Sequence, residues 1–312
     1  MKAVAAFAPA TVANLAAGFD VLGLALQGPG DVVIARRVEQ PGVRLTAIIG
    51  DDGLLPLDAE ENTAGIAAMA TLERAGVTAG VELELRKGLP IGSGLGSSAA
   101  SAAAAAMAVN VLVGSPLRKT ELLEPCLNAE AHVSGRHADN LAPSLLGGLV
   151  LVRSVDPIDL VRLPVPEELM VAVVSPDFVL ETRKAREVLP SEVPLGAMIR
   201  NSANLGAMVA ACFSGDLSLL GRSVTDEVVT PARAALIPGC SEVIESALRA
   251  GGLGAGISGA GPAVFALCRS PRSAREVGAA MRQAYAQAGL ESTLHLSPAT
   301  APGARRVALE SL

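Results

Sequence analysis

Aromatic side chains are nearly missing from this sequence. It has no Trp, one Tyr and five Phe in 312 residues, so a core large enough for one or two domains must be assembled from Ala, Val, Leu and Ile. An excess of basic charge is missing too: 25 Lys and Arg against 31 Asp and Glu leave a net charge of −6. That balance offers no footprint for nucleic acid or an anionic membrane, and any phosphate-bearing ligand must be held by local groups. Cys126, Cys212, Cys240 and Cys268 are far apart and fit no CxxC or Cys/His metal spacing. They read as buried thiols of a reducing compartment. No apolar run long enough to span a bilayer occurs, since the Ala/Ser tract at 98–108 is only weakly hydrophobic. The N-terminal segment has a single Lys, is broken by Pro9 and carries Asn14, so it reads as part of the fold and not as a signal peptide. A soluble cytoplasmic protein is expected, with neither nucleic acid nor membrane as partner.

Two common phosphate fingerprints are also lacking. A P-loop needs Gly-Lys-Ser/Thr, but no Lys follows Gly96, and a dinucleotide loop would need Gly where Ser97 stands. What is there instead is GLPIGSGLGSSAASAAAAAM, from Gly88 to Met107. Ahead of it, Val81 to Arg86 alternates apolar and charged residues, as a half-buried strand does. Behind it, Ala99 to Val113 has no Pro or Gly and little bulk, which predicts a helix that packs closely. In a strand–loop–helix unit of this kind, Gly92, Gly94 and Gly96 permit positive φ and leave no Cβ in a ligand's way. Ser97 or Ser98 is predicted to cap the helix, whose free N–H groups and dipole would hold an anion such as phosphate. The plainer alternative is a glycine-rich turn that only starts a helix.

The rest of the chain surrounds this unit. Short strands are predicted at Phe19–Leu26, Asp31–Val38 and Val43–Ile49, divided by turn signals at Gly28-Pro29-Gly30 and Pro41-Gly42. Pro9 to Asp20 reads as a loop, and Asp20, set in an apolar run, needs a partner or a ligand. Asn62 would cap a helix reaching about Ala75. A helix over Thr120–Val133 leads into Ser134 to Asn140, where Glu130, His132, His137, Asp139 and Asn140 form a denser polar cluster than a helix end requires. A strand is expected at Leu149–Arg153, and a domain boundary in the Pro-bearing stretch 157–167. Beyond it come a strand at Leu169–Val174, a helix opening near Thr182, and helices at about 197–213, 216–229 and 241–250. The glycine cluster Gly251 to Gly261 suggests a backbone that passes close to another loop or a ligand. A strand at Ala263–Cys268, a helix at Pro271–Gln287 and strands near 293–297 and 305–310 complete the reading.

PATVANLAAGFDVLGLAL, GLPIGSGLGSSAAS and GAGISGAGPAVFALC stand in a fixed order, and together they resemble the GHMP kinase superfamily almost end to end. Asn14 and Asp20 within P-x-T-x-A-N-L-x-x-G-F-D, and His137-x-Asp139-Asn140 followed by Pro143 and Gly147-Gly148, are most similar to the members whose acceptor is L-homoserine. The resemblance implies an α+β fold of two domains: residues 1–160 as an ATP-binding half like ribosomal protein S5 domain 2, and 161–312 as a ferredoxin-like half, with the active site between them. It implies transfer of the ATP γ-phosphoryl group, with Mg²⁺, to the hydroxyl of L-homoserine, giving O-phospho-L-homoserine on the route to threonine. It also implies a homodimer. The alternatives are a related kinase acting on mevalonate, shikimate or a sugar alcohol, and a non-catalytic ligand sensor on the same fold.

By the same resemblance, Pro90, Ile91, Gly92, Ser93, Gly94, Leu95, Gly96, Ser97 and Ser98 would hold the phosphates. Ser98 and Glu130 would hold Mg²⁺, with Ser97 able to exchange with Ser98, and Asn62 would meet adenine. Arg186 and Arg233 would take the acceptor carboxylate, which an Arg fork suits. Asp20 would take its ammonium, with Asn14, His137 and Asn140 completing the pocket. Asp139, Asn140, Thr182 and Arg186 make up the implied catalytic set. Two roles stay open for Asp139: the general base, as in mevalonate kinases, or a bystander to a transfer driven by alignment.

Overall fold

A computed structural model of the chain describes residues 2–311. The first part runs β1 (Ala3–Ala13), β2 (Leu22–Val38), β3 (Gly42–Ile49), α1 (Thr63–Arg74), β4 (Gly80–Arg86), α2 (Ser97–Leu112), α3 (Leu123–Val133), α4 (Leu141–Leu146), β5 (Leu149–Val155) and β6 (Ile158–Leu163). The second runs β7 (Met170–Pro176), α5 (Thr182–Glu187), α6 (Leu195–Ser214), α7 (Leu217–Arg222), α8 (Val229–Ala234), α9 (Cys240–Arg249), β8 (Gly254–Ile257), β9 (Val264–Cys268), α10 (Pro271–Gln287), β10 (Ser292–Pro298) and β11 (Arg305–Val307).

β1 and β2 are the spine of a seven-stranded sheet ordered β11-β1-β2-β4-β3, with β5 on β2 and β6 on β5. The second sheet, β10-β7-β9-β8, is antiparallel throughout. Val4, Ala6 and Ala8 alternate along β1 into a core shared with α1, α2 and α3. α2 is built mostly of small apolar residues and has no exposed polar stripe, and Ala99 to Ala106 are buried, as such a helix must be. Methyl-sized side chains let its neighbours approach closely. α9 and α10 cover the second sheet around Tyr285, whose hydroxyl donates to Pro262 O at 2.8 Å.

Several expectations change. Pro9–Ala13, expected in a loop, belong to β1, and Thr11, Val12 and Ala13 pair with Ala25, Leu24 and Gly23. Gly28-Pro29-Gly30 does not end a strand, because β2 continues through it. The register steps from Pro9↔Gly30 to Thr11↔Ala25, so the intervening residues bulge out, and Pro29, which has no N–H to donate, lies there. The helix expected at 216–229 stops at Arg222, where Asp226 accepts hydrogen bonds from Val228 N at 3.0 Å and Val229 N at 3.2 Å and opens α8 instead. β6 and β8 were hidden by Pro-bearing and glycine-rich sequence. The expected division at residue 160 falls inside β6, and β11 crosses back to pair with β1. Among the described residues no helix is long and apolar enough to cross a membrane. All four cysteines are free and buried, and burial pushes the Cys240 thiol up to about 12.

Candidate active site

The loop between β4 and α2 is shaped by Gly92, Gly94 and Gly96, with φ of +68°, +78° and +68°. Gly96 is the residue before the first turn of α2, and no side chain caps that turn. The serines expected to cap it have other partners: Ser97 Oγ donates to Leu89 O at 3.2 Å, and Ser98 Oγ donates to Glu130 Oε2 at 3.0 Å. The first amides of α2 thus lack a side-chain acceptor where Gly96, Ser97 and Ser98 line a cleft, an arrangement that suits an anion. A Cβ on Gly94 would lie 2.7 Å from Ser258 O. Ser258 Oγ donates to Gly94 O at 2.7 Å, and Ala263 N to Ser93 O at 3.2 Å. The second glycine cluster therefore exists because one loop backbone lies against another.

Below the loop is a buried ion pair that sequence reading missed. The Lys87 ammonium pairs with the carboxylate of Asp31, their side chains being 2% and 0% exposed. Lys87 Nζ also donates to Ser97 Oγ at 2.8 Å and Ser101 Oγ at 2.9 Å. Asp31 Oδ1 accepts from Gly88 N at 3.0 Å and Leu89 N at 3.2 Å. Burial lowers the proton affinity of Lys87, and Asp31 works against that. The pair ties β2, the root of the loop and α2 together.

At the other end of the cleft, Asn14, Leu15, Ala16 and Asp20 all have positive φ, at +73°, +46°, +63° and +59°. Left-handed non-glycine residues each cost on the order of 1–3 kcal/mol and persist where the surroundings over-determine them. Here Asn14 Oδ1 accepts from Asp20 N at 3.0 Å, and Asn14 Nδ2 donates to Gly259 O at 2.9 Å. The partner that Asp20 needs is Arg186, whose Nη1 and Nη2 donate to its two oxygens at 3.1 and 3.0 Å. His137 Nδ1 lies 3.5 Å from the same carboxylate, and burial lowers the proton affinity of that imidazole. Arg233 is buried and donates to Ala185 O at 3.0 Å and Gly259 O at 2.8 Å, with no ion-pair partner among the described residues. Burial first, and then Arg186, lowers its proton affinity, although a guanidinium stays charged in proteins. Arg186 Nε is buried without a hydrogen-bond partner among the described residues.

Between the two ends stand two buried carboxyls. Glu130 accepts from Ser98 Oγ at 3.0 Å and Ser134 Oγ at 2.6 Å, and burial raises its pKa against those two bonds. A buried carboxylate with hydroxyl partners and no cation favours a cation beside it. Among the described residues no group of three or more His, Cys, Asp or Glu could hold a metal. A cation at Glu130 would therefore rest on one carboxylate, hydroxyls and ligand oxygens, which is how Mg²⁺ accompanies a nucleotide. Burial, and then Asp20 and Glu130, push Asp139 up to about 7. β2 runs so close to this segment that a Cβ on Gly23 would lie 1.6 Å from Asp139 O. Asn140 Oδ1 accepts from Thr11 Oγ1 at 2.7 Å.

One cleft of about 560 Å³ brings together Asn14, Asp20, Asn62, Ile91, Gly92, Gly94, Gly96, Ser97, Ser98, Glu130, His137, Asp139, Asn140, Thr182, Arg186 and Arg233. Pro90, Ser93 and Leu95 are not in its lining. Ser93 Oγ donates to Pro90 O at 2.8 Å, and Leu95 is a core residue whose carbonyl accepts from Thr11 N at 3.0 Å, so these three shape the loop. Asn62 caps α1 as expected, with Oδ1 accepting from Ala64 N at 3.0 Å and Nδ2 donating to Pro56 O at 2.9 Å. Thr182 opens α5 at the exposed rim. Sequence reading passed over Asp31, Lys87, Ser101, Ser134 and Phe19. Some signals were available: Asp31, like Asp20, heads an apolar run, and Ser134 stands four residues after Glu130, on the same helical face.

The GHMP kinases N terminal domain matches residues 62–148, and the GHMP kinases C terminal domain matches 208–287. The chain is 44% identical to a homoserine kinase of Chlorobaculum tepidum, covering 100% of both proteins. It is 44% identical to a homoserine kinase of Xanthomonas campestris, over 99% of this chain and 95% of that one. The crystal structure of homoserine kinase from Cytophaga hutchinsonii superposes with a TM-score of 0.96 at 44% identity, covering 98% of each chain.

Proposed function

The chain belongs to the homoserine kinase family of GHMP kinases, phosphotransferases acting on a hydroxyl group, and on that premise we propose how its residues carry out the transfer from ATP to L-homoserine. The observation that carries the reading is the pairing of opposite charges in one pocket. Buried Arg233, Arg186 with its unpartnered Nε, and the carboxylate of Asp20 together suit a zwitterion. Mevalonate would use only the cations, and a sugar alcohol neither sign. Arg186 and Arg233 take the acceptor carboxylate, Asp20 takes its ammonium, and Asn14, His137 and Asn140 bound the pocket.

The residues from Pro90 to Ser98 form the phosphate loop, and the free amides at the start of α2 receive the anionic oxygens. Asn62 braces Pro56 against α1 and so shapes the adenine end. Ser98 Oγ and Glu130 would hold Mg²⁺, which when bound supplies charge neutralisation of the phosphoryl group. Thr182 lies at the rim beside the transferred group. Phosphoryl transfer passes through a loose transition state, so alignment of the acceptor hydroxyl by Asp20 and Asn140 carries most of the work, while the two arginines anchor the acceptor's carboxylate. On this reading Asp139→Asn costs less than about tenfold in kcat, because a positioned base is typically worth 10² or more. The carboxyl pKa of about 7 at Asp139 favours a second reading, in which Asp139 accepts the hydroxyl proton. A loss above a thousandfold, with removal of an acidic limb near pH 7 from kcat/KM, would establish that second reading.

ADP release measured with Mg-ATP and homoserine, mevalonate, shikimate or galactose tests the function itself. Turnover is expected with homoserine alone, and none with homoserine overturns the assignment. The apolar row Leu195, Met198, Ile199 and Phe213, exposed on α6, supports association of two copies. Sedimentation as a monomer at micromolar concentration would end that part of the proposal. Free, buried cysteines suit a cytoplasmic setting.

A further inference from the structure

Phe19 has no role in the scheme above, yet it adjoins Asp20 at the end of the strained segment. The guanidinium carbons of Arg186 and Arg233 lie 5.5 and 5.2 Å from the centroid of its ring. Two like charges this close repel, and Arg186 is, after burial, the largest influence lowering the proton affinity of Arg233. Among the described residues no carboxylate bonds to both: Asp20 takes both terminal nitrogens of Arg186, while Arg233 donates to the carbonyls of Ala185 and Gly259. Asp20 also acts on Arg233 through space, and what the two guanidiniums share in direct contact is the Phe19 ring. The negative face of an aromatic quadrupole attracts cations, Arg above all, so a single ring offsets part of the repulsion and restricts where both forks can point. The buried, unpartnered Nε of Arg186 marks the same place as one made for an anion.

We propose that Phe19 is the positioning residue of the acceptor's carboxylate subsite: its ring holds Arg186 and Arg233 together so that one carboxylate can engage both. The inference rests on the reading that the acceptor is L-homoserine. Phe19 touches no reacting atom in this scheme, so it acts on acceptor affinity and not on transfer.

Steady-state kinetics of Phe19→Leu and Phe19→Tyr, with homoserine and ATP varied separately, test it. Leu keeps apolar bulk and loses the quadrupole, whereas Tyr keeps the ring. Phe19→Leu should raise KM for homoserine about tenfold, within the range of a desolvated cation–π contact, and leave kcat and KM for ATP within about twofold. Phe19→Tyr should stay within about threefold of wild type on every constant. Equal impairment of both variants, a parallel rise in both KM values, or an unchanged KM for homoserine in Phe19→Leu would each overturn the proposal. If Phe19→Leu fails to fold, Phe19→Met takes its place in the comparison. Ring-current shifts on the guanidinium Nε–H signals of Arg186 and Arg233, present in wild type and Phe19→Tyr and lost in Phe19→Leu, read the same contact without turnover. Their absence from wild type overturns the inference whatever the kinetics. Failure of the wild type to turn over homoserine counts instead against the functional reading.

Discussion

At the loop end of the cleft the buried charges already have partners, whereas at the acceptor end several do not. Lys87 and Asp31 satisfy each other and are further bonded by Ser97, Ser101 and the amides of Gly88 and Leu89. Among the described residues Arg233 has no ion-pair partner and Arg186 Nε no acceptor, Glu130 beside them has only hydroxyl partners, and the backbone at Asn14, Leu15, Ala16 and Asp20 is held in left-handed conformations. On the proposed reading the loop is a frame held by its own contacts, and the acceptor end is a socket that the substrates would complete. Active sites commonly give up stability for function in this manner. Breaking the frame should therefore unfold the protein, and breaking the socket should disable it while leaving it as stable or more so.

The largest effect is expected at the frame. Lys87→Met leaves Asp31 buried without a cation and should lower unfolding stability by about 3–5 kcal/mol, read by denaturant titration. A variant of unchanged stability would put Lys87 in the socket instead. Glu130→Gln should lower kcat by about 10²–10³, the scale of removing one preorganised electrostatic contact, and should leave the melting temperature without magnesium unchanged or higher. A melting temperature that falls sharply would erase the distinction between the two ends.

Asp139→Asn sharpens it through pH. A carboxyl lifted to about 7 from its ordinary 3.8 binds more protons folded than unfolded, so wild-type stability falls as pH rises between those two values. The variant should be more stable than wild type above pH 7, by up to about 4 kcal/mol, with the gap closing towards pH 4. Melting curves across pH check the sign, and a gap that widens at low pH would contradict it. The smallest effect belongs to Asn62→Ala, which removes a helix cap and should cost about 1 kcal/mol. Its KM for ATP should change less than its stability.

The frame was largely legible in the sequence because it is contiguous: β4, the glycine loop and α2 follow one another, and their periodicities and glycines are local signals. Its ion pair was not, because Asp31 and Lys87 are 56 positions apart and each is unremarkable at the edge of the strand its local sequence predicts. The cap assignment failed for a related reason, since Ser97 and Ser98 have good local cap chemistry but are drawn to Lys87 and Glu130 by contacts that only the fold creates. The socket draws on residues 14–20, 137–140, 182–186 and 233. No periodicity links those segments, and only their order as motifs pointed to a shared site. Phe19 is the clearest case: in sequence it reads as an apolar residue of a strand, and its two arginines lie far along the chain.

The hydrogen bonds from Ser258 Oγ to Gly94 O, Ala263 N to Ser93 O, Gly259 N to Ala13 O and Asn14 Nδ2 to Gly259 O stitch three distant segments into one seam. Such a seam bears on inheritance. A hybrid gene that joins the front of one relative to the back of another would bring together backbones that never fitted each other, at a place where glycine backbones meet with few side chains to absorb the mismatch. The three glycine-bearing motifs are thus a single unit of exchange, written in three pieces.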